Sequence, residues 1–259
     1  MKLLFIGDVV GRTGREAVKS LLPNLKNLYK LDFIVANGEN SAGGFGINQK
    51  TAHELFQAGV DVITTGNHVW DKKEAVQYIA KENRILRPLN YPPDALGFGS
   101  IILNVRNDLK VAIICLSGRV FMNILDCPFR TARSVVEEIQ KETKLIFIDF
   151  HGEATSEKKA FGYYIDGLVT AVIGTHTHVQ TADEKILPKG TAYITDVGMT
   201  GPEDSVIGID KSQIIQKFLD FMPRKFEVPS GKAIMNALVV EANEKTGKAK
   251  AIQRLQLTA

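Results

Sequence analysis

Short unbroken apolar runs alternate with stretches of helical spacing from the first residues onward. Lys2–Gly7 is such a run and reads as a strand. Arg12–Tyr29 then carries Ala17, Leu21, Leu22, Leu25 and Leu28 on one helical face, with Pro23 placed to kink or split it. Asp32–Ala36 is a second apolar run, closed by the turn pair Asn37-Gly38. Asn48 is positioned to cap a helix containing Ala52, Leu55 and Phe56 and ended by Gly59, and Val60–Thr65 supplies a third strand. The first quarter of the chain is therefore βαβαβ.

Beyond it the order changes partly to antiparallel. Asp71–Lys81 has helical spacing, and Ser100–Val105 and Lys110–Leu116 read as strands joined at the hairpin signal Asn107-Asp108. Thr131–Glu142 and Ser156–Ile165 read as helices, Leu145–Phe150 and Leu168–Ile173 as strands. The tail offers Thr191–Thr195, a helix near Lys211–Phe221, and paired strands Ala233–Glu241 and Lys248–Gln256 around the turn Glu244–Gly247. A mixed α/β fold with layered sheet is the economical reading. No low-complexity linker, repeat or composition shift divides the 259 residues, so a single domain over 1–259 is expected.

Composition narrows the class without naming a function. With 44% hydrophobic and 24% charged residues the chain can bury a full core. The net charge of +3, from 32 basic and 29 acidic residues, comes without dense Lys/Arg blocks and names no partner. No apolar stretch approaches the roughly 18 residues of a membrane span. Asp8 interrupts the N-terminal apolar run, which is read as a strand and not a signal peptide. Two cysteines, Cys115 and Cys127, without CxxC spacing suit a reducing compartment. A cytoplasmic protein with no membrane partner is expected.

The chemistry lies at the strand ends. In open α/β sheets ligands gather beyond the carboxyl ends of parallel strands. There the sequence places Asp8 after the first strand, Glu39-Asn40 after the second, Asn67-His68 after the third, His151 after a later one, and His176 with His178 after the last before the tail. Carboxylate, amide and imidazole are oxygen and nitrogen donors, and three of the four imidazoles would suffice to favour a transition metal over Mg²⁺ or Ca²⁺. Seven of these eight donors would already exceed the needs of one ion, whereas a shared carboxylate between two ions uses them well.

The motifs Gly7-Asp8, Asn37-Gly38-Glu39-Asn40, Gly66-Asn67-His68, His151-Gly152 and Gly174-Thr175-His176-Thr177-His178 resemble those of the calcineurin-like metallophosphoesterases. The branch they match is that of the bacterial YmdB-like 2′,3′-cyclic nucleotide phosphodiesterases, which Asp196–Pro202 also resembles. The resemblance implies a layered α-β-β-α sandwich with mixed sheets. It departs from the wider superfamily in two places: Asp8-Val9-Val10 stands where an Asp-x-His pair is usual, and Glu39 where the bridging residue is usually aspartate. The branch resemblance implies that Asn40 fills the vacancy.

Carried over by position, it implies one metal held by Asp8, Glu39, Asn40 and His178 and a second by Glu39, Asn67, His151 and His176, with Glu39 bridging. Two transition-metal ions per chain follow, iron or manganese by resemblance, although zinc, nickel and cobalt suit the same donors. Alternation in His176-Thr177-His178, read as an extended segment, points both imidazoles the same way. His68 is the expected catalytic residue, stabilising the transition state or protonating the leaving oxygen while a metal-bridging hydroxide attacks phosphorus. Arg12 is the expected substrate-phosphate contact near a helix start, an exposed salt bridge being its other reading.

Plainer roles exist for each residue. Asp8 as a helix N-cap fits poorly, since Val9-Val10-Gly11 separates it from the helix. The run Gly7–Gly14 lacks G-x-G-x-x-G spacing and is rejected as a dinucleotide turn. His53, within an amphipathic helix, is a surface or packing residue. Phe45 and Trp70 offer ring faces for a base, although packing is the commoner use of such residues. The expected function is hydrolysis of small phosphodiesters, with 2′,3′-cyclic nucleotides favoured by the resemblance. The alternative is a regulatory protein that binds a nucleotide or RNA and hydrolyses it slowly or incidentally. A homo-oligomer is a weaker expectation, because the tail hairpin could cover its own sheet or a neighbour's.

Overall fold

The structure, a computed structural model, describes residues 1–106 and 108–259. In chain order these form β1 (Lys2–Ile6), β2 (Asp8–Val9), α1 (Gly11–Tyr29), β3 (Phe33–Asn37), α2 (Gln49–Ala58), β4 (Val62–Thr64), α3 (Val76–Ile79) and β5 (Ile85–Leu86). There follow β6 (Ser100–Arg106), β7 (Leu109–Ser117), α4 (Pro128–Ile139), β8 (Ile146–His151), α5 (Thr155–Ile165), β9 (Ala171–Thr175), β10 (Lys185–Ile186) and β11 (Ala192–Ile194). The chain ends with β12 (Met199–Pro202), α6 (Lys211–Asp220), β13 (Ala233–Ala242) and β14 (Ala249–Thr258).

Two mixed sheets stack between helices. The first runs β2-β12-β13-β1-β3-β4-β5, with β14 on the other edge of β13; the second runs β10-β11-β9-β8-β7-β6. Alternation along single strands explains the layering. Leu3 and Phe5 of β1 face Val111, Ile113, Phe147 and Ile173 between the sheets, while Leu4 and Ile6 face Val18, Leu22 and Leu55 of α1 and α2. In the second sheet Ile114, Ile146 and Ile148 turn outward onto Ala132, Val136, Phe161 and Ile165 of α4 and α5. The result is the expected α-β-β-α sandwich. Its central strands β1, β3, β8 and β9 read as largely apolar runs because both of their faces are covered.

The topology creates the seat of the site. β1 pairs with β13 from Lys2↔Glu241 to Ile6↔Ala237, and β12 pairs with the same strand from Thr200↔Met235 to Pro202↔Ala233. At the junction the chain leaves β13 and pairs with β12 as β2, Met199 opposite Asp8. Gly7 allows this crossing, since a Cβ there would lie 2.0 Å from Gly198 O.

Several expectations shift. Pro23 does not split α1, which is continuous from Gly11 to Tyr29. The helix expected over Asp71–Lys81 is one 3₁₀ turn, Lys73–Ala75, followed by the four-residue α3, with Asp71 engaged by His68 instead. α4 starts earlier than Thr131, because Pro128 at its first turn needs no N–H partner. β9 lies later than Leu168–Ile173 because Leu168 N–H is spent on a turn to Ile165 O. The tail hairpin enters the chain's own first sheet. Asn107, half of the expected hairpin signal, lies outside the described residues. Among those described, no helix is long and apolar enough to cross a membrane.

Candidate metal centre

Asp8, Glu39, Asn40, Asn67, His68, His151, His176 and His178 all follow or end parallel strands, and the two sheets bring them to one place. His151 ends β8, and its Nε2 lies 3.0 Å from Glu39 Oε1, 3.0 Å from Asn67 Oδ1 and 3.0 Å from His176 Nδ1. A second group adjoins it: His178 Nε2 stands 3.1 Å from Asn40 Nδ2 and 3.7 Å from Asp8 Oδ1, and that oxygen is 4.0 Å from His151 Nδ1. Glu39, His151 and His176 alone present three donor atoms within 4.8 Å of one another.

The chemistry of the gathered atoms fits a cation. Asp8 Oδ1 is fully buried and has no hydrogen-bond partner among the described residues, which is costly for a carboxylate unless something positive meets it. Three imidazole nitrogens face each other and the carboxylates with few protons to share. Burial opposes charge on His151, yet Glu39, Asp8 and Asp149 overcome it and raise its pKa to about 9. Burial and the neighbouring His151 push His176 down to about 3. Glu39 falls to about 2 against its burial, through His151 and His68, whereas burial raises Asp8.

Glycine clears the space. A Cβ on Gly66 would lie 2.2 Å from His151 Cδ2 and 2.5 Å from Glu39 Oε2, so the residue before Asn67 has to be the smallest one. Around the donors opens a cavity of about 390 Å³. Glu39, Asn40, His68, His176 and His178 form its polar side, and Val10, Phe45, Ile207, Ile209 and Phe226 its apolar side.

His68 lines this cavity without joining the donor cluster. Its Nδ1 is 2.8 Å from Asp71 Oδ2, its backbone N–H donates to Glu39 Oε2 at 3.0 Å, and Phe45 meets its ring edge-on at 5.2 Å between centroids. Phe45 thus serves the cavity, whereas Trp70 packs on Tyr91 beside the first core. His53 is exposed against Tyr78, a packing role as expected.

Two expectations need correction. Arg12 is not brought to this cavity: its guanidinium is committed to Glu16 at 2.7 Å, with a side chain 83% exposed, and it lines a separate surface basin with Arg15, Lys19 and Lys50. His176 and His178 are not in an extended segment either. β9 stops at Thr175, and the histidines have φ of 102° and 66°, so strand alternation does not set their directions.

Sequence reasoning missed the groups behind the donors. Thr175 Oγ1 donates to Asp149 Oδ1 at 2.6 Å, so its hydroxyl accepts from His151 Nδ1 at 2.9 Å. That keeps a proton on Nδ1 and leaves Nε2 facing the cluster. Asp149 is also held by Asn37 Nδ2 at 3.1 Å and by Thr64 Oγ1, and its burial raises it to about 7. Glu153 Oε2 lies 3.1 Å from His176 Nε2, likewise leaving Nδ1 facing His151. One signal was available: Asp149 is a lone carboxylate inside the apolar run Ile146–Phe150.

A sandwich of two mixed sheets with carboxylates, amides and imidazoles converging beyond the parallel strand ends defines a metallophosphoesterase. Residues 4–255 match the model of the YmdB-like protein family, and the chain belongs to that family. A 2′,3′-cyclic-nucleotide 2′-phosphodiesterase of Bacillus subtilis (strain 168) is 50% identical over 255 residues, spanning 98% of this chain and 96% of that one. A hypothetical protein from Thermus thermophilus superposes with a TM-score of 0.93 at 40% identity, over 100% of this chain and 99% of the other. A novel phosphatase from Mycoplasma pneumoniae gives 0.94 at 37% identity, over 100% and 93%. The chain is a phosphoric ester hydrolase of this class.

Proposed function

We propose that this protein is a two-metal phosphodiesterase acting on small phosphodiesters, with 2′,3′-cyclic nucleotides as its substrates. The observation that carries the reading is the buried, unpartnered Asp8 Oδ1 set among imidazoles. Asp8, Glu39, Asn40 and His178 would hold one ion, and Glu39, Asn67, His151 and His176 the other; the two groups of close contacts around His178 and His151 support that division. Bound cations supply neutralisation of phosphate charge and a water acidified toward neutral pH.

The chain's own groups do the rest. Asp71 at His68 Nδ1 orients the ring, leaving Nε2 to hold a proton for the departing ribose oxygen. Thr175 and Glu153 orient His151 and His176 from behind. The apolar side of the cavity receives the uncharged part of the substrate, and about 390 Å³ suits a small ligand. The substrate class is that named for the Bacillus subtilis relative.

The test is hydrolysis of a 2′,3′-cyclic nucleotide by metal-loaded protein beside chelator-treated protein, His178→Ala and a generic chromogenic diester. Turnover lost in both controls, with preference for the cyclic nucleotide, is the expected result. Full metal content without turnover of either diester would overturn it.

A further inference from the structure

A buried ion pair lies behind the His176-Thr177-His178 turn. Lys158 of α5 and Asp196, each with a side chain only 1% exposed, meet at 2.8 Å. Lys158 Nζ also donates to Thr175 O at 2.8 Å, the carbonyl just before His176. Asp196 Oδ2 accepts the Thr177 N–H at 3.0 Å, the amide between the two histidines. Asp196 Oδ1 accepts from Gly198 N at 2.8 Å, and Gly198 O in turn accepts the Asp8 N–H at 3.1 Å. One pair of side chains therefore reaches the backbone before, within and beside the donor segments.

That turn needs holding. With φ of 102° and 66°, both histidines sit in the left-handed region where Cβ crowds the backbone. Non-glycine residues stay there only where their surroundings over-determine them. Desolvating two charges makes a buried ion pair a poor source of stability compared with apolar packing, so its presence here asks for another role. We propose that Lys158 and Asp196 are positioning residues that lock this turn and so preset both ion sites, an inference resting on the ligand set proposed above.

The probe is Co²⁺, read by binding titration and by its visible absorption, on wild type, on Lys158→Met/Asp196→Asn and on His178→Ala. The double variant leaves no lone buried charge. It is expected to melt cooperatively, to bind Co²⁺ about 10–100-fold more weakly, and to show an altered band. A folded double variant with wild-type affinity and spectrum would overturn the proposal, because a merely structural pair would leave the ion's surroundings untouched. Hydrogen exchange on metal-free wild type provides a measurement independent of any variant. The Thr177 amide is expected to be protected, and exchange at the rate of exposed loop amides would equally overturn the proposal. Co²⁺ binding by His178→Ala as tight as by wild type would instead overturn the ligand assignment, and this inference with it.

Discussion

His151 and the His176/His178 pair bring the same functional group to one cluster, but the fold holds them in opposite ways. His151 is the last residue of a fully buried strand, in register with Ser117 on one side and Thr175 on the other. Its backbone is regular, and its ring is fixed through Thr175 to Asp149. His176 and His178 follow the neighbouring strand on a left-handed turn tied down by a buried ion pair. A strand end suffices to deliver one donor. Turning His176 toward His151 and His178 toward Asn40 from positions two apart takes backbone that a strand cannot supply.

The largest effects should be the same for both kinds of histidine. His151→Ala and His178→Ala are each expected to reduce phosphodiester hydrolysis to background in initial-rate assays of metal-supplemented protein. A variant turning over at the wild-type rate would remove that residue from the donor set. His68→Ala should cost about 10²–10⁴ in kcat, the usual contribution of a proton-transfer group, with metal content by elemental analysis unchanged. Its link to Glu39 is a backbone N–H that alanine keeps, so metal lost along with the rate would place His68 among the donors.

Titration separates the two regions in the metal-free protein. The folded-state pKa of His151 is raised to about 9, so the folded chain binds a proton there that the unfolded chain releases above its ordinary value near 6.5. That contribution is fully present below pH 6.5 and is lost as the pH rises through 9. His176, lowered to about 3, contributes in the opposite sense, losing stability as the pH falls from 6.5 through 3. Asp149, raised to about 7, has finished titrating before the upper half of the alkaline window. Melts of chelated protein should therefore fall from about pH 7 to about pH 9 in wild type and stay flatter in His151→Ala. Equal slopes would show that His151 does not carry the proton.

The same contrast decides how much could be read from sequence. Leu3–Ile6, Phe33–Ala36 and, Asp149 apart, Ile146–Phe150 were readable because strands covered on both faces are apolar, and the donors Asp8, Glu39 and His151 stood out among the polar residues just after them. β2, β5 and β12 are two to four residues long and exist through pairing with strands distant in sequence, and β10 is a two-residue edge strand on the nearby β11, so none leaves a local period to detect. The turn was hidden for a related reason. Positive φ is uncommon for any residue but glycine, and the groups enforcing it, Lys158 and Asp196, come from α5 and from the segment after β11 rather than from beside it in sequence. Arg12 failed on competition, since Glu16 one helical turn on claims it first.

The smallest effect discriminates the two regions most sharply, because its sign inverts. Glycine adopts a left-handed backbone freely, whereas any Cβ there costs about 1–2 kcal/mol. In metal-free protein His178→Gly should therefore be more stable than His178→Ala by about 1 kcal/mol. At His151 the backbone is an ordinary strand, where glycine loses more entropy on folding than alanine does. His151→Gly should accordingly be less stable than His151→Ala by roughly 0.5–1 kcal/mol. Denaturant midpoints of the four chelated variants measure both differences together, and removal of the imidazole cancels within each pair. If glycine is the weaker choice at both positions, the turn around His178 is not strained in solution, and the case for a device that holds it falls.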